Sequence, residues 1–160
     1  MVENVIIGND HGGYQAKVEI VELLEEMGIE VEDIGSESEE IVRYPNYARK
    51  VAGAVARGEY DRGILVCSTG IGMSIAANKV KGVRAALVTS TYMARLTREH
   101  NDSNVLCLGG KTTGIYEILD YVRTWIETEY TGGRHDISLG LISDLEEEVG
   151  TGIPEEDNED

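Results

Sequence analysis

The sequence predicts an α/β fold: a single doubly wound domain with a five-stranded parallel sheet and a C-terminal helix. Three observations predict it. Short apolar runs alternate with stretches whose apolar residues recur at helical spacing, the pattern of successive βαβ units. One run, Gly63-Ile64-Leu65-Val66-Cys67, is continuous, as a central parallel strand buried on both faces should be. Glycine and polar residues gather just after the runs, at the edge where open α/β sheets bind ligands.

The elements follow in order. Val5-Ile6-Ile7 is a short buried strand ending at Gly8. From Gln15, Ala16, Ile20, Leu23, Leu24 and Met27 share one helical face, and Gly28 stops the helix. Residues 29–34 read as a second strand, and a turn-rich stretch leads to Tyr44-Pro45, where proline can open a helix. Ala48, Val51, Ala52 and Val55 form its apolar face until Gly58. After the third strand, Ser68-Thr69-Gly70-Ile71-Gly72 turns into a helix through about Lys79. Residues 83–88 form a fourth strand, 92–100 a helix, and 104–108 a fifth strand. Ile115, Ile118, Leu119, Val122 and Ile126 mark another helix, and Ile137, Leu141, Ile142 and Leu145 the last. The sum is Rossmann-like in outline, with no internal repeat or linker.

Composition narrows the function. A chain of 160 residues is sized for one domain with a real core. A net charge of −16 argues against a nucleic-acid partner. Eight of the 30 acidic residues lie at Glu146, Glu147, Glu148, Glu155, Glu156, Asp157, Glu159 and Asp160. The domain is therefore expected over residues 1–148, with 149–160 an acidic, disordered tail. Cys67 and Cys107 are the only two cysteines, which suits a reducing compartment rather than a disulfide framework. The start of the chain has no basic region and apolar run of a signal peptide, and no stretch approaches the ~18 apolar residues of a membrane span. A cytoplasmic location without membrane contact is expected.

The candidate chemistry lies at strand ends. Cys67 precedes a glycine-flanked turn into a helix, where backbone N–H groups can stabilise a thiolate that acts as nucleophile or base. Its other reading is a small buried hydrophobe, which is also the reading for Cys107. Ser68, Thr69, Gly70 and Gly72 could cradle an anion, although the loop has neither the Walker nor the dinucleotide spacing. Asp10-His11 closes the first strand, and His100 with Asn101 ends the fourth helix, so two of the three histidines map near a ligand-binding edge. No histidine pair has helical ligand spacing and no Cys-x-x-Cys occurs, so no metal is expected. A thiol hydrolase with Cys67 attacking and His100 as base stays open, although the Gly-x-Ser-x-Gly elbow is absent.

Taken together, Asn9-Asp10-His11-Gly12-Gly13-Tyr14, Tyr44-Pro45, Cys67 through Lys79, Arg98-Glu99-His100-Asn101-Asp102 and Gly132-Gly133-Arg134-His135 resemble the ribose-5-phosphate isomerase B / galactose-6-phosphate isomerase family. The resemblance runs from residue 3 to about 145, with the motifs in family order. It implies a cofactor-free and metal-free aldose–ketose isomerase working on a sugar phosphate through an enediolate. D-ribose 5-phosphate, in the pentose phosphate pathway, is the first expected substrate; galactose 6-phosphate, allose 6-phosphate and a tetrose phosphate are the alternatives. A non-catalytic sugar-phosphate-binding module is a further alternative. The implied partner is a second copy of the chain, in a homodimer or dimer of dimers whose sites lie between subunits.

Carried over by the resemblance, Cys67 is the base that moves a proton between C2 and C1. Thr69 stabilises the enediolate oxygen with the backbone from Gly70 through Gly72 to Ser74, and Ser68 and Tyr44 line the substrate site. Asp10 orients hydroxyls and assists proton movement between oxygens. His100 opens the sugar ring, Asn101 holds the substrate, and His11, Arg134 and Lys111 bind phosphate. Met73 cannot take a proton, which puts the chain in the cysteine branch of the family. Departures fall at the phosphate end: Ser138 stands where many members have a second arginine, Lys111 where arginine is usual, and Arg43 where aspartate is usual. Ser68 replaces the usual glycine.

Overall fold

The computed structural model describes residues 1–150. The chain runs β1 (Asn4–Asn9), α1 (Tyr14–Glu26), β2 (Glu30–Asp33), α2 (Tyr44–Ala56), β3 (Arg62–Cys67), α3 (Ile71–Ala77), β4 (Ala85–Leu87), α4 (Thr91–Asn101), β5 (Val105–Gly109), α5 (Ile115–Glu127) and α6 (His135–Val149). The five strands pair in parallel in the order β2-β1-β3-β5-β4. The chain leaves β1 toward one edge and β3 toward the other, so the topology switches between β1 and β3.

Alternation along the strands builds two cores. Ile7, Ile64, Val66, Leu106 and Leu108 pack with α1, α4 and α5, around the fully buried Trp125. Ile6, Leu65, Cys67, Val105 and Cys107 pack on the other face with α2 and α3. Burial on both faces is why the central runs read as unbroken apolar stretches.

The starts of the strands are fastened by two buried arginines. Arg62 donates to the carbonyl of Trp125 at 2.6 Å and lies over its ring, 5.0 Å from the centroid. Arg98 donates to the Ser103 carbonyl at 2.6 Å and to Asp102 at 2.9 Å, while the Trp125 indole N–H donates to Ser103 Oγ at 2.9 Å. These bonds satisfy backbone carbonyls at the ends of α4 and α5 and lock both helix ends to the starts of β3 and β5.

Two expectations shift. The third helix stops at Ala77, because the Asn78 side chain turns away to bond Ala85 N and O of β4, both at 2.9 Å. The last helix starts at His135 and includes Val149, the residue expected to open the tail. The acidic segment from residue 151 onward lies outside the described residues. No residue of α6 is buried, and Ile137, Leu141, Ile142, Leu145 and Val149 are 41 to 71% exposed. Among the described residues no helix is long and apolar enough to cross a membrane.

The tightest backbone approach in the sheet is testable. A Cβ at Gly13 would lie 2.3 Å from the carbonyl oxygen of Val66, a backbone atom that cannot swing aside. Gly13→Ala is expected to cost about 2–3 kcal/mol, at the upper end of ordinary point changes, read as a lower urea midpoint. An unchanged midpoint would mean that the β1 turn yields freely.

Candidate active site

The carboxyl ends of β1, β3 and β5 meet at the switch point, and most of the expected site residues stand there. Asp10 is 5% exposed. Its N–H donates to the Val66 carbonyl at 3.1 Å, and its Oδ1 accepts from Gly12 N at 2.9 Å. That second bond caps the short 3-10 turn His11–Gly13 and fixes the carboxylate beside the end of β3. The turn lies against β3 so closely that a Cβ at Gly12 would sit 2.2 Å from Ser68 Oγ.

Cys67 ends β3 and is 5% exposed. The next residues turn sharply, with Gly70 left-handed at φ 77, and this brings Gly70 N–H to 3.1 Å from Cys67 Sγ. A donor aimed at sulfur is used more strongly by a thiolate than by a thiol. Thr69 Oγ1 accepts from Ile71 N at 3.2 Å, and the Ser74 hydroxyl donates to the Ile71 carbonyl at 2.8 Å. From β5, Gly110 N donates to the Cys67 carbonyl at 2.8 Å and Lys111 N to the Ser68 carbonyl at 3.0 Å. Lys111 is thereby held at the same edge. The Tyr44 ring stands over Gly72, where an added Cβ would come within 2.8 Å of Tyr44 Cζ.

What holds His11 is visible only in the fold. Val42 N–H donates to His11 Nδ1 at 3.4 Å, which leaves Nε2 as the ring's donor. The loop that carries Arg43 therefore abuts the β1 turn. Only the folded loop brings Val42, 31 residues away in sequence, to this imidazole.

His100, Asn101 and Arg134 are elsewhere. The Asn101 carbonyl accepts from Arg84 Nε at 3.0 Å, and Arg84 immediately precedes β4. Thr131 N and its hydroxyl donate to the Glu99 carbonyl at 3.2 and 2.7 Å. His135, which follows Arg134, stacks on His100 with ring centroids 4.3 Å apart and 17° between planes. This cluster sits at the starts of the strands, whereas Cys67 is at their ends. A six-residue strand, about 17 Å long, separates the two groups. The expectation that His100 maps to the Cys67 edge is thus corrected: within one chain it lies at the opposite end of the sheet. The hydrolase pairing of Cys67 with His100 has no geometry within a chain for the same reason. Lys111 and Arg134, both expected on phosphate, are likewise divided.

An apolar groove of 690 Å³ runs between β4, α4 and α6, lined by Leu87, Tyr92, Met93, Leu96, Ile142 and Leu145 among others. Of the expected site residues only Asn101 borders it, so it is not the proton-transfer centre. Among the described residues, no group of three or more His, Cys, Asp or Glu is arranged to hold a metal ion.

A thiol and a buried carboxylate on adjoining strand ends are the equipment of an enzyme that moves protons on a small polar substrate. The chain belongs to the Ribose/Galactose Isomerase family, whose sequence model matches residues 5–142. It is 45% identical over 146 residues to ribose-5-phosphate isomerase B of Escherichia coli, covering 91% of this chain and 98% of that one. Ribose-5-phosphate isomerase B of Clostridium thermocellum superposes with a TM-score of 0.90 at 51% identity, covering 91% of this chain and 99% of its own. The Mycoplasma genitalium ribose-5-phosphate isomerase B with bound ribulose-5-phosphate superposes at 0.88 with 39% identity, covering 92% and 99%.

The two cysteines separate by position. Cys107 is fully buried in β5, and burial pushes its thiol well above the ordinary range. Iodoacetamide on the native protein is expected to modify Cys67 and spare Cys107, which should react only after unfolding. Peptide mapping by mass spectrometry reads this directly, and prior labelling of Cys107 would show that its strand opens.

Proposed function

We propose that this chain is a cytoplasmic aldose–ketose isomerase that interconverts D-ribose 5-phosphate and D-ribulose 5-phosphate. One observation carries the reading: Cys67 and Asp10 adjoin at the switch point, with a backbone N–H on the sulfur, in a chain closely similar to enzymes named for that reaction. The bound ribulose-5-phosphate of the Mycoplasma genitalium structure supports the same substrate.

The chemistry follows from the groups present. As thiolate, Cys67 takes the C2 proton from the open-chain aldose, and the electrons move into an enediolate. The same sulfur returns the proton to C1, giving the ketose. Thr69 and the turn from Gly70 to Ser74, with the N–H groups of Gly72 and Met73, face the developing oxyanion, while the Gly70 N–H stays on the sulfur. Asp10 carries the hydroxyl proton between O2 and O1, while Ser68 and Tyr44 border the sugar. His11 and Lys111 at this edge meet phosphate, where positive charge and donors offset the chain's net −16.

His100, Asn101 and Arg134 serve the site of a second copy. Their distance from Cys67 supports a homodimer in which each site joins the strand ends of one copy to the α4–α6 end of the other. The uncovered apolar face of α6 supports the same arrangement, since five large side chains stay in water without a partner. His100 then opens the ring of the cyclic sugar, Asn101 holds the substrate, and Arg134 completes the phosphate clamp.

Three experiments test this. Cys67→Ala is expected to fold normally yet lose isomerisation by about 10²–10⁴, the range for a lost general base; near-normal turnover of D-ribose 5-phosphate would remove Cys67 from the mechanism. A panel of pentose, hexose and tetrose phosphates with the wild type fixes the preferred sugar. For the shared site, inactive Cys67→Ala and His100→Ala chains are mixed and allowed to exchange subunits. Each mixed dimer has one intact site, so activity should recover to about a quarter of wild type, as random pairing in a two-fold dimer requires. No recovery despite exchange would mean that each chain works alone.

A further inference from the structure

We infer that His135 is a positioning residue for ring opening: it holds the His100 imidazole in one plane by stacking against it. The inference rests on the reading that His100 opens the sugar ring.

The stack is built by the chain around it. Gly132 and Gly133 are both left-handed, each at φ 65, a conformation that a Cβ resists. This pair reverses the chain between Thr131, which bonds the Glu99 carbonyl twice, and the first turn of α6. The segment is therefore clasped to the residue just before His100. Tyr130 OH donates to Asp136 Oδ1 at 2.7 Å and ties the start of α6 from the other side. His135 is left with its ring parallel to that of His100, at a centroid distance of 4.3 Å. Both rings are half-buried.

Electrostatics acts against charge on His135. The residue opens α6, where the exposed N–H groups oppose a positive ring. Burial, His100 and Arg134 all lower the His135 pKa, with Asp136 opposing. The other charges facing the pair are largely committed. Glu99 pairs with Arg95, and Asp102 pairs with Arg98 and Arg84. Tyr130 keeps its proton, its hydroxyl pushed up to about 12 by burial and by Asp136. Two imidazolium rings at this spacing would repel, so the stack needs one of them neutral. A neutral His135 offers its ring face to His100 whether or not His100 carries a proton.

The sign of the pH effect follows. The depressed pKa keeps His135 neutral through the neutral range, and acid charges it, which should open the stack. His135→Phe keeps a flat ring and cannot charge; His135→Ala removes the ring. On D-ribose 5-phosphate, His135→Ala is expected to lose about ten- to a hundredfold in kcat, the scale of a misplaced catalytic group, and His135→Phe to restore most of it. The ratio of His135→Phe to wild-type kcat should rise severalfold as pH falls from about 8 to about 5, across the histidine range. Any pH effect common to both proteins cancels in this ratio. A flat ratio, a folded but inactive His135→Phe, or a fully active His135→Ala would each overturn the inference. Proton NMR of the wild type adds a test free of substitutions: the His100 ring protons should carry a ring-current shift that fades as His135 titrates, and a constant shift would also overturn it. Wild-type protein without any sugar-phosphate turnover would instead sink the proposed function, leaving the NMR result to stand alone.

Discussion

Backbone packed directly on backbone at the ends of β1, β3 and β5 is the constraint on which the catalytic edge depends. Asp10 N on Val66 O, Gly110 N on Cys67 O and Lys111 N on Ser68 O join three loops that are far apart in sequence. Side chains would hold these loops apart, as the 2.3 Å approach at Gly13 shows. Such bonds have little rotamer freedom, so Cys67 and Asp10 are positioned by the sheet itself rather than by flexible side-chain contacts. Rigidity of this kind is what positions reacting groups for catalysis.

The other end of the sheet is organised by different physics. There buried charge, not glycine, makes the joints: Arg62 and Arg98 bond carbonyls of α5, its following residues and the loop before β5. Removing either guanidinium would strand several buried carbonyls at once. The reward is a rigid platform at the end of α4, on which His100, Asn101 and the Gly132–His135 turn are set. One chain thus carries two preorganised clusters of polar side chains, each anchored to the same five strands.

Much of this was legible in the sequence, for identifiable reasons. Strands and helices were readable because burial on both faces of the sheet leaves unbroken apolar runs, and the helices between them keep one apolar face. The Cys67 loop was readable because ligand sites of open α/β sheets fall at strand ends. The location of His100 was misread although the information was present. A helix that follows a parallel strand runs back along it, and the 11 residues of α4 span about 16 Å, nearly the strand's own length. Its last turn must therefore return to the strand starts. The Val42–His11 bond was not legible, since it depends on how an irregular loop folds over the β1 turn. The α6 pattern was read as an ordinary amphipathic helix, but none of the described residues buries it.

The Asn78 carboxamide has a consequence for how copies of this protein can meet. Its two bonds occupy the N–H and C=O of Ala85 on the outer side of β4, the sheet's short edge strand. An incoming strand aligning there would first have to evict a side chain that already mimics a neighbouring backbone. Growth of the sheet from chain to chain, the route to ribbons and fibrils, is thereby discouraged at the edge beside the apolar groove. A single asparagine thus guards this strand edge against open-ended pairing.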